Sequence, residues 1–288
     1  MLDFIEEKDE SLYIFEVPEK YDFQIRYEPS RMRGQNYAIN SDTNEVVGLS
    51  GSTTYAPHGS FFKEVESAMF EKLGKEQTKG AKVRWKDARN NAFVMCDIVL
   101  PNNKYTIHTN KHQTHCSQRV IALHGIDGKC SNQVCLGAID FHCLNGQING
   151  EHERVTKKNT SNFTLGSFID KLSNASELFE LHMERQQRWA DTSLVNVNVE
   201  ALLEKIMPSK NLAKKMFAQY NEETIVRGVN LFSLYSAFTN YSTYADTRNN
   251  FKNRNTSNDT QAWTMWLREK EVASWVNTEQ FESLEIAY

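Results

Sequence analysis

A change of hydrophobic period part-way along the chain constrains its fold more than any other feature. From Ala81 to about His142, apolar residues come in short alternating or continuous stretches punctuated by turn residues. After about residue 164 they recur every three or four positions. A period of two puts alternate side chains on one face of a strand, and a period near 3.6 puts an apolar stripe along one side of a helix. A chain that does each in turn is expected to be α+β: a curled antiparallel sheet with a helix packed on it, then a mostly helical C-terminal half.

Within the strand block, Ala81, Val83 and Trp85 alternate, residues 87–91 turn, and 92–100 run back. Residues 101–104 (Pro-Asn-Asn-Lys) read as a second turn, further strands are expected over 119–124 and 133–142, and Asn145-Gly146 reads as a two-residue turn. Upstream, the polar stretch 40–44 separates two short strand-like runs, a hairpin signal. Phe61, Phe62, Val65, Met69, Phe70 and Leu73 then share one helical face, and Gly74 is expected to end that helix. The domain reading is an acidic arm over 1–22, a sheet core over 23–160, and a helical region over 161–288 packed on that core.

Charge is unevenly spread over the 288 residues. The net charge is −4, but residues 81–160 carry 11 Lys and Arg against 6 Asp and Glu, with six of the eight histidines. The first 22 residues hold eight acids against two lysines. A basic centre between acidic flanks points to an anionic partner, because local charge steers encounter. No run of about 18 apolar residues occurs, so no membrane partner is expected. The acidic start lacks the basic flank of an export signal, which points to a cytoplasmic protein. The five cysteines (Cys96, Cys116, Cys130, Cys135, Cys143) then read as reduced, buried thiols on strands.

Three chemistries can be weighed on these residues. For metal, His108, His112 and His115 are the candidate ligands, with His124 nearby, but their spacing matches no recurring zinc pattern. For hydrolysis, no Gly-x-Ser-x-Gly elbow, phosphate-binding glycine loop or His-Glu-x-x-His motif occurs. No cofactor and no catalytic residue is therefore assigned. For nucleic acid, Lys82, Arg84, Lys86 and Arg89 cluster around Trp85, and Arg248, Phe251, Lys252 and Arg254 form a second cluster in an Asn-rich stretch. Single-strand binders pair a cationic groove with flat side chains on which bases stack.

A set of spaced motifs adds a resemblance. Gly48 is followed by Tyr55 and then the Phe-rich helix from Phe61, and a strand pair ends at Leu100-Pro101. Further on come His124, Asp127 and Gly128, then Cys143 and Asn145, then His152. Over roughly two-thirds of the chain this resembles the phage/plasmid-like family called domain of unknown function 932. In this chain Gly125-Ile126 intervene between the His and the Asp-Gly of its middle motif. The resemblance implies a mobile-element protein acting in a bacterial host cytoplasm and names no catalytic residue. A helix on a bent antiparallel sheet is also similar to phage single-strand annealing proteins, an analogy of fold alone.

The leading expectation is an accessory protein that binds nucleic acid, namely single-stranded DNA in replication or recombination. The first alternative is an interaction protein that contacts a host or phage factor through its acidic arm; deletion of residues 1–22 would then leave the fold intact. The second alternative is a metal-dependent enzyme.

Overall fold

Strands and helices segregate as the two periods require. The computed structural model describes residues 5–6, 14–51, 54–140, 145–148, 154–157, 166, 172, 174–244 and 261–286. A three-stranded antiparallel sheet comprises β2 (Ile25–Pro29), β3 (Asn36–Asn40) and β4 (Val46–Ser50). Helix α1 (His58–Thr78) follows. The main sheet is antiparallel, with β5 (Lys82–Ala88), β6 (Phe93–His108), β7 (Gln113–Gly125) and β8 (Asn132–Asp140) at its centre. Short strands β1 (Ile5–Glu6) and β10 (Arg154–Lys157) flank these four, and β9 (Asn145–Ile148) also pairs with β8. The helical half contributes α2 (Ala175–Asp191), α3 (Val199–Ile206), α4 (Lys210–Arg227), α5 (Leu231–Tyr244), α6 (Gln261–Val276) and α7 (Glu279–Ile286). The expected α+β architecture is therefore present.

Because successive strand residues face opposite sides, the main sheet supplies two cores. Val94, Cys96, Ile98 and Leu100 of β6, with Val120 and Ala122 of β7, lie under Phe61, Phe62, Val65 and Met69 of α1. On the other face, Phe93, Met95, Ile121 and Leu123 meet Ala262, Met265 and Trp266 of α6. A third core fills the helical half, and Ile107, Cys116 and Ala138 of the sheet reach into it beside Phe179 and Met183 of α2. Trp85 is packed with Phe15, Tyr21 and Phe62. Cys96, Cys116, Cys130 and Cys135 are buried free thiols, as expected; Cys143 lies outside the described residues.

The α6 face of the sheet also buries charge. Register sets Arg84 opposite Asp97, and Arg119 two positions along the next strand. The Arg119 guanidinium donates from Nε to Asp97 Oδ1 at 2.5 Å and from Nη2 to Glu269 Oε1 of α6 at 3.0 Å. Arg84 Nη2 donates to Asp97 Oδ2. Burial alone would raise the Asp97 carboxyl, but Arg119 and Arg84 override it and hold its pKa near 2. Two guanidinium groups and two carboxyl groups thus stitch α6 to the sheet, with burial raising the Glu269 carboxyl above its ordinary value.

Several expected boundaries move. Gly74 ends the first helical run of α1 as expected, at φ +75 and ψ 170, but a second short helical run continues directly from it to Thr78. Residues 101–104 make no turn. Pairing lapses after Leu100↔Gln118 and resumes at Lys104↔Ser117, so Pro101, which cannot donate to the ladder, sits in an excursion of one long strand. Asn145-Gly146 opens β9 opposite Asp140 and Ile139, so the reversal precedes it.

The described residues of the acidic N-terminal segment are built into the fold. Ile5 and Glu6 pair with Val83 and Lys82, while Ile14, Phe15 and Tyr21 belong to the α1 core. The expectation that residues 1–22 can be removed without changing the fold is corrected by those buried side chains. At about 1.5–3 kcal/mol for each buried apolar side chain, their loss removes several kcal/mol. A chain lacking residues 1–22 should therefore melt well below the full chain by circular dichroism. An unchanged melting temperature would show that these contacts carry no stability.

Candidate functional site

Five segments meet at one end of the main sheet. They are β4, the start of α1, the β5–β6 turn, the β7–β8 loop and the start of α6. A Cβ on Gly48 of β4 would fall 3.0 Å from Asp127 Cβ, so glycine is what allows the β7–β8 loop to lie on this strand. Gly128 adopts φ +72, and a Cβ there would lie 2.6 Å from the Tyr55 hydroxyl. Both spacings that carry the resemblance, Gly48 with Tyr55 and His124 with Asp127-Gly128, therefore describe one place in the molecule.

The turn at this end is unusual. Arg89, Asn90 and Asn91 have φ of 55, 53 and 60, three successive non-glycine residues in the left-handed region. Asn tolerates that region better than most residues, and such backbone persists where its surroundings over-determine it. Here the Asn91 carbonyl pairs with His58 Nε2 at 2.7 Å, and Ile126 N donates to the Ala92 carbonyl at 2.8 Å. Arg89 forms a fork on Asp127, with Nε to Oδ2 at 2.6 Å and Nη2 to Oδ1 at 3.3 Å. Its guanidinium lies 4.9 Å from the Trp263 ring and 5.3 Å from the Phe93 ring. Asp127 Oδ1 also accepts from Lys129 N at 3.1 Å, which closes the Gly-Ile-Asp-Gly loop.

Beneath the turn, His58 and His124 are both fully buried, with Nδ1···Nδ1 at 2.6 Å. Burial pushes the His58 pKa down to about 4, so this ring is neutral near pH 7. Its Nε2 hydrogen goes to the Asn91 carbonyl, which leaves Nδ1 as an acceptor. His124 must then be the donor, through Nδ1–H. Phe23, Phe61 and Phe62 surround the pair, with the Phe61 ring stacked on His124 at 4.7 Å. Burial also pushes the Cys130 thiol up to about 11, so it is not a thiolate nucleophile near neutral pH. This set has a neutral His58 imidazole, a carboxylate occupied by Arg89 and a protonated thiol. It builds a rigid base for the surface above it.

The other candidate residues are dispersed. Lys82, Arg84 and Lys86 share the sheet face under α6, where Arg84 is buried in the Asp97 network and Lys82 and Lys86 are half-buried. Arg84 thus adds no cation to the surface. Arg248, Phe251, Lys252, Arg254, Cys143 and His152 lie outside the described residues, and Asn145 begins β9. His115 Nδ1 meets the Thr106 hydroxyl at 3.0 Å, and the His108 backbone is held by Gln187. Among the described residues no three His, Cys, Asp or Glu side chains are grouped to hold a metal, so His108, His112 and His115 do not form such a site.

Comparison with known protein families, with curated proteins and with solved structures finds no match to this chain. The fold and the site therefore stand on their own geometry. Sequence reasoning missed His58, Asn91 and Trp263 as partners of the motif. For His58 the available signal was its place after Pro57 at the start of an apolar helix, where a buried imidazole has no periodic signature. Among the described residues no helix is long and apolar enough to cross a membrane.

Proposed function

We propose that the chain binds single-stranded nucleic acid on the surface formed by the β5–β6 turn, the β7–β8 loop and the start of α6. The observation that carries this reading is how the two cationic clusters are connected. Arg248–Arg254 lie in the segment between α5 and α6, and α6 opens at Gln261. Two residues on, Trp263 is stacked on Arg89 of the first cluster. The start of α6 thereby lies at the end of the sheet that carries Arg89 and the exposed Lys129, and the cationic segment precedes it in the chain by a few residues.

The local carboxylates support the same reading because they are already occupied. Asp127 is held by Arg89, and Asp87 by Lys20 at 2.8 Å and the Tyr21 hydroxyl at 2.6 Å. Lys270 of α6 lies near Cys130, where its charge opposes the rise of that thiol. Phosphates would be neutralised by these lysines and by Arg248, Lys252 and Arg254, with Phe251 as the stacking platform. The mobile-element setting rests on the resemblance of the Gly48–Tyr55 and His124–Gly128 motifs.

Fluorescence anisotropy with a labelled single-stranded oligonucleotide tests the reading. Micromolar or tighter binding is expected at about 50 mM salt, falling by about 0.7 log units per neutralised phosphate per log unit of salt as salt rises to about 200 mM. Replacing Arg248, Lys252 and Arg254 together by Ala should weaken binding by about tenfold or more and flatten that slope. Absence of binding by the full chain at either salt would overturn the proposal.

A further inference from the structure

At the far end of the main sheet from the histidine pair, the β6–β7 hairpin tip leans against the helical half and leaves a cleft of about 600 Å³. That volume lies within the range of about 300–1,000 Å³ usual for small-ligand sites. The walls are fixed by specific bonds. Gln187 of α2 donates to the His108 carbonyl at 2.9 Å and accepts from His108 N at 2.8 Å. Thr109 ties the tip together by accepting from His112 N at 3.0 Å and donating to the His112 carbonyl at 3.1 Å. Opposite, Leu194 N donates to the Val229 carbonyl and Leu231 N to the Thr192 carbonyl, so the two connecting segments lock together. Gly228, at φ +89, lets Asn110 approach; a Cβ there would collide with the Asn110 side-chain oxygen.

The lining is dipolar. Lys111 from the hairpin tip and Asp191 from the end of α2 both line this cleft, and among the described residues neither is in an ion pair. Asp191 accepts from Gln187 Nε2 at 3.1 Å through Oδ1, which leaves Oδ2 uncommitted. An acid in the last turn of a helix is disfavoured by the macrodipole, so helix stability does not account for Asp191. Lys111 Nζ reaches the Thr224 carbonyl at 3.2 Å and keeps two further donors. Val195 and Val229 give the cleft an apolar edge at 70% and 41% exposure.

We propose that this cleft binds a zwitterion with an aliphatic side chain, its ammonium at Asp191, its carboxylate at Lys111 and its side chain on Val195 and Val229. Either a free amino acid such as leucine or a short peptide carries that chemistry. Titration calorimetry on the full chain, with leucine, leucyl-leucine, leucinamide and 4-methylpentanoate up to about 10 mM, separates the cases. Leucine binding more tightly than leucyl-leucine identifies a free amino acid, and the reverse order identifies a peptide. Asp191→Asn, which keeps the Gln187 bond, should weaken the zwitterion about tenfold and leave 4-methylpentanoate unchanged. Lys111→Met should do the converse, sparing leucinamide. Neither zwitterion binding the wild-type chain, or both variants binding as the wild type does, would overturn the proposal. Equal melting temperatures would establish that the variants are folded.

Discussion

Asp97→Asn is expected to destabilise the chain by about 3–5 kcal/mol, the usual cost of breaking a buried ion pair from one side. The substitution keeps the shape of the side chain and removes its charge. Arg84 would then lose its ionic contact with Asp97, and the fully buried Arg119 would keep only the one to Glu269 among the described residues. Urea unfolding at pH 7 checks this directly. A companion variant separates charge from packing: replacing Arg84, Asp97, Arg119 and Glu269 together by apolar residues of similar volume should recover much of the loss. Asp97→Asn within about 1 kcal/mol of the wild type would show that the network is solvated and contributes little.

Mild acid should produce the second large effect. Burial holds the His58 pKa at about 4, and burial together with the nearby Arg185 charge holds at about 3 the pKa of His182, a half-buried ring of α2 bonded to Gln186. An unfolded imidazole titrates near 6.5. Between those values the unfolded chain binds protons that the folded chain refuses, so stability is complete above pH 6.5 and falls as pH drops. By pH 5 the loss is about 2 kcal/mol for each of the two rings. His58 has a specific reason to stay neutral: a proton on its Nδ1 would face the Nδ1–H of His124 across 2.6 Å. Urea midpoints at about pH 7, 6 and 5 read the slope, and proton NMR of the imidazoles assigns it. A flat midpoint over that range would mean that both rings are hydrated in the folded state.

Sequence and structure agree most where periodicity alone decides. The hairpin of β3 and β4, the buried face of α1 apart from the exposed Phe70, the free buried thiols and the helical second half all follow from spacing. The motif residues Gly48, Tyr55, His124, Asp127 and Gly128 also prove to be neighbours, although the first two lie on elements far from the rest in sequence. Arg84 illustrates what spacing hides. As a cation on an alternating strand it reads as a surface charge, yet the hairpin register that places it opposite Asp97 was available from the turn at 87–91. Its second-layer partner, Glu269, was not available, since nothing local to residue 269 marks it as the partner of a strand 150 residues earlier. The dipolar cleft is of the same kind, assembled from a hairpin tip and two helix ends that share no sequence pattern.

That long separation bears on how the chain is made. Strands β5 to β8 emerge from the ribosome well before α6, and until α6 arrives the face holding Phe93, Met95, Ile121 and Leu123 has nothing to cover it. A bare apolar sheet face is an invitation to self-association. Arg84, Asp97 and Arg119 sit on that face, where their charges would hold water until α6 packs. The same three side chains that tie the finished joint together would then serve earlier as gatekeepers, guarding a half-made protein against its own kind.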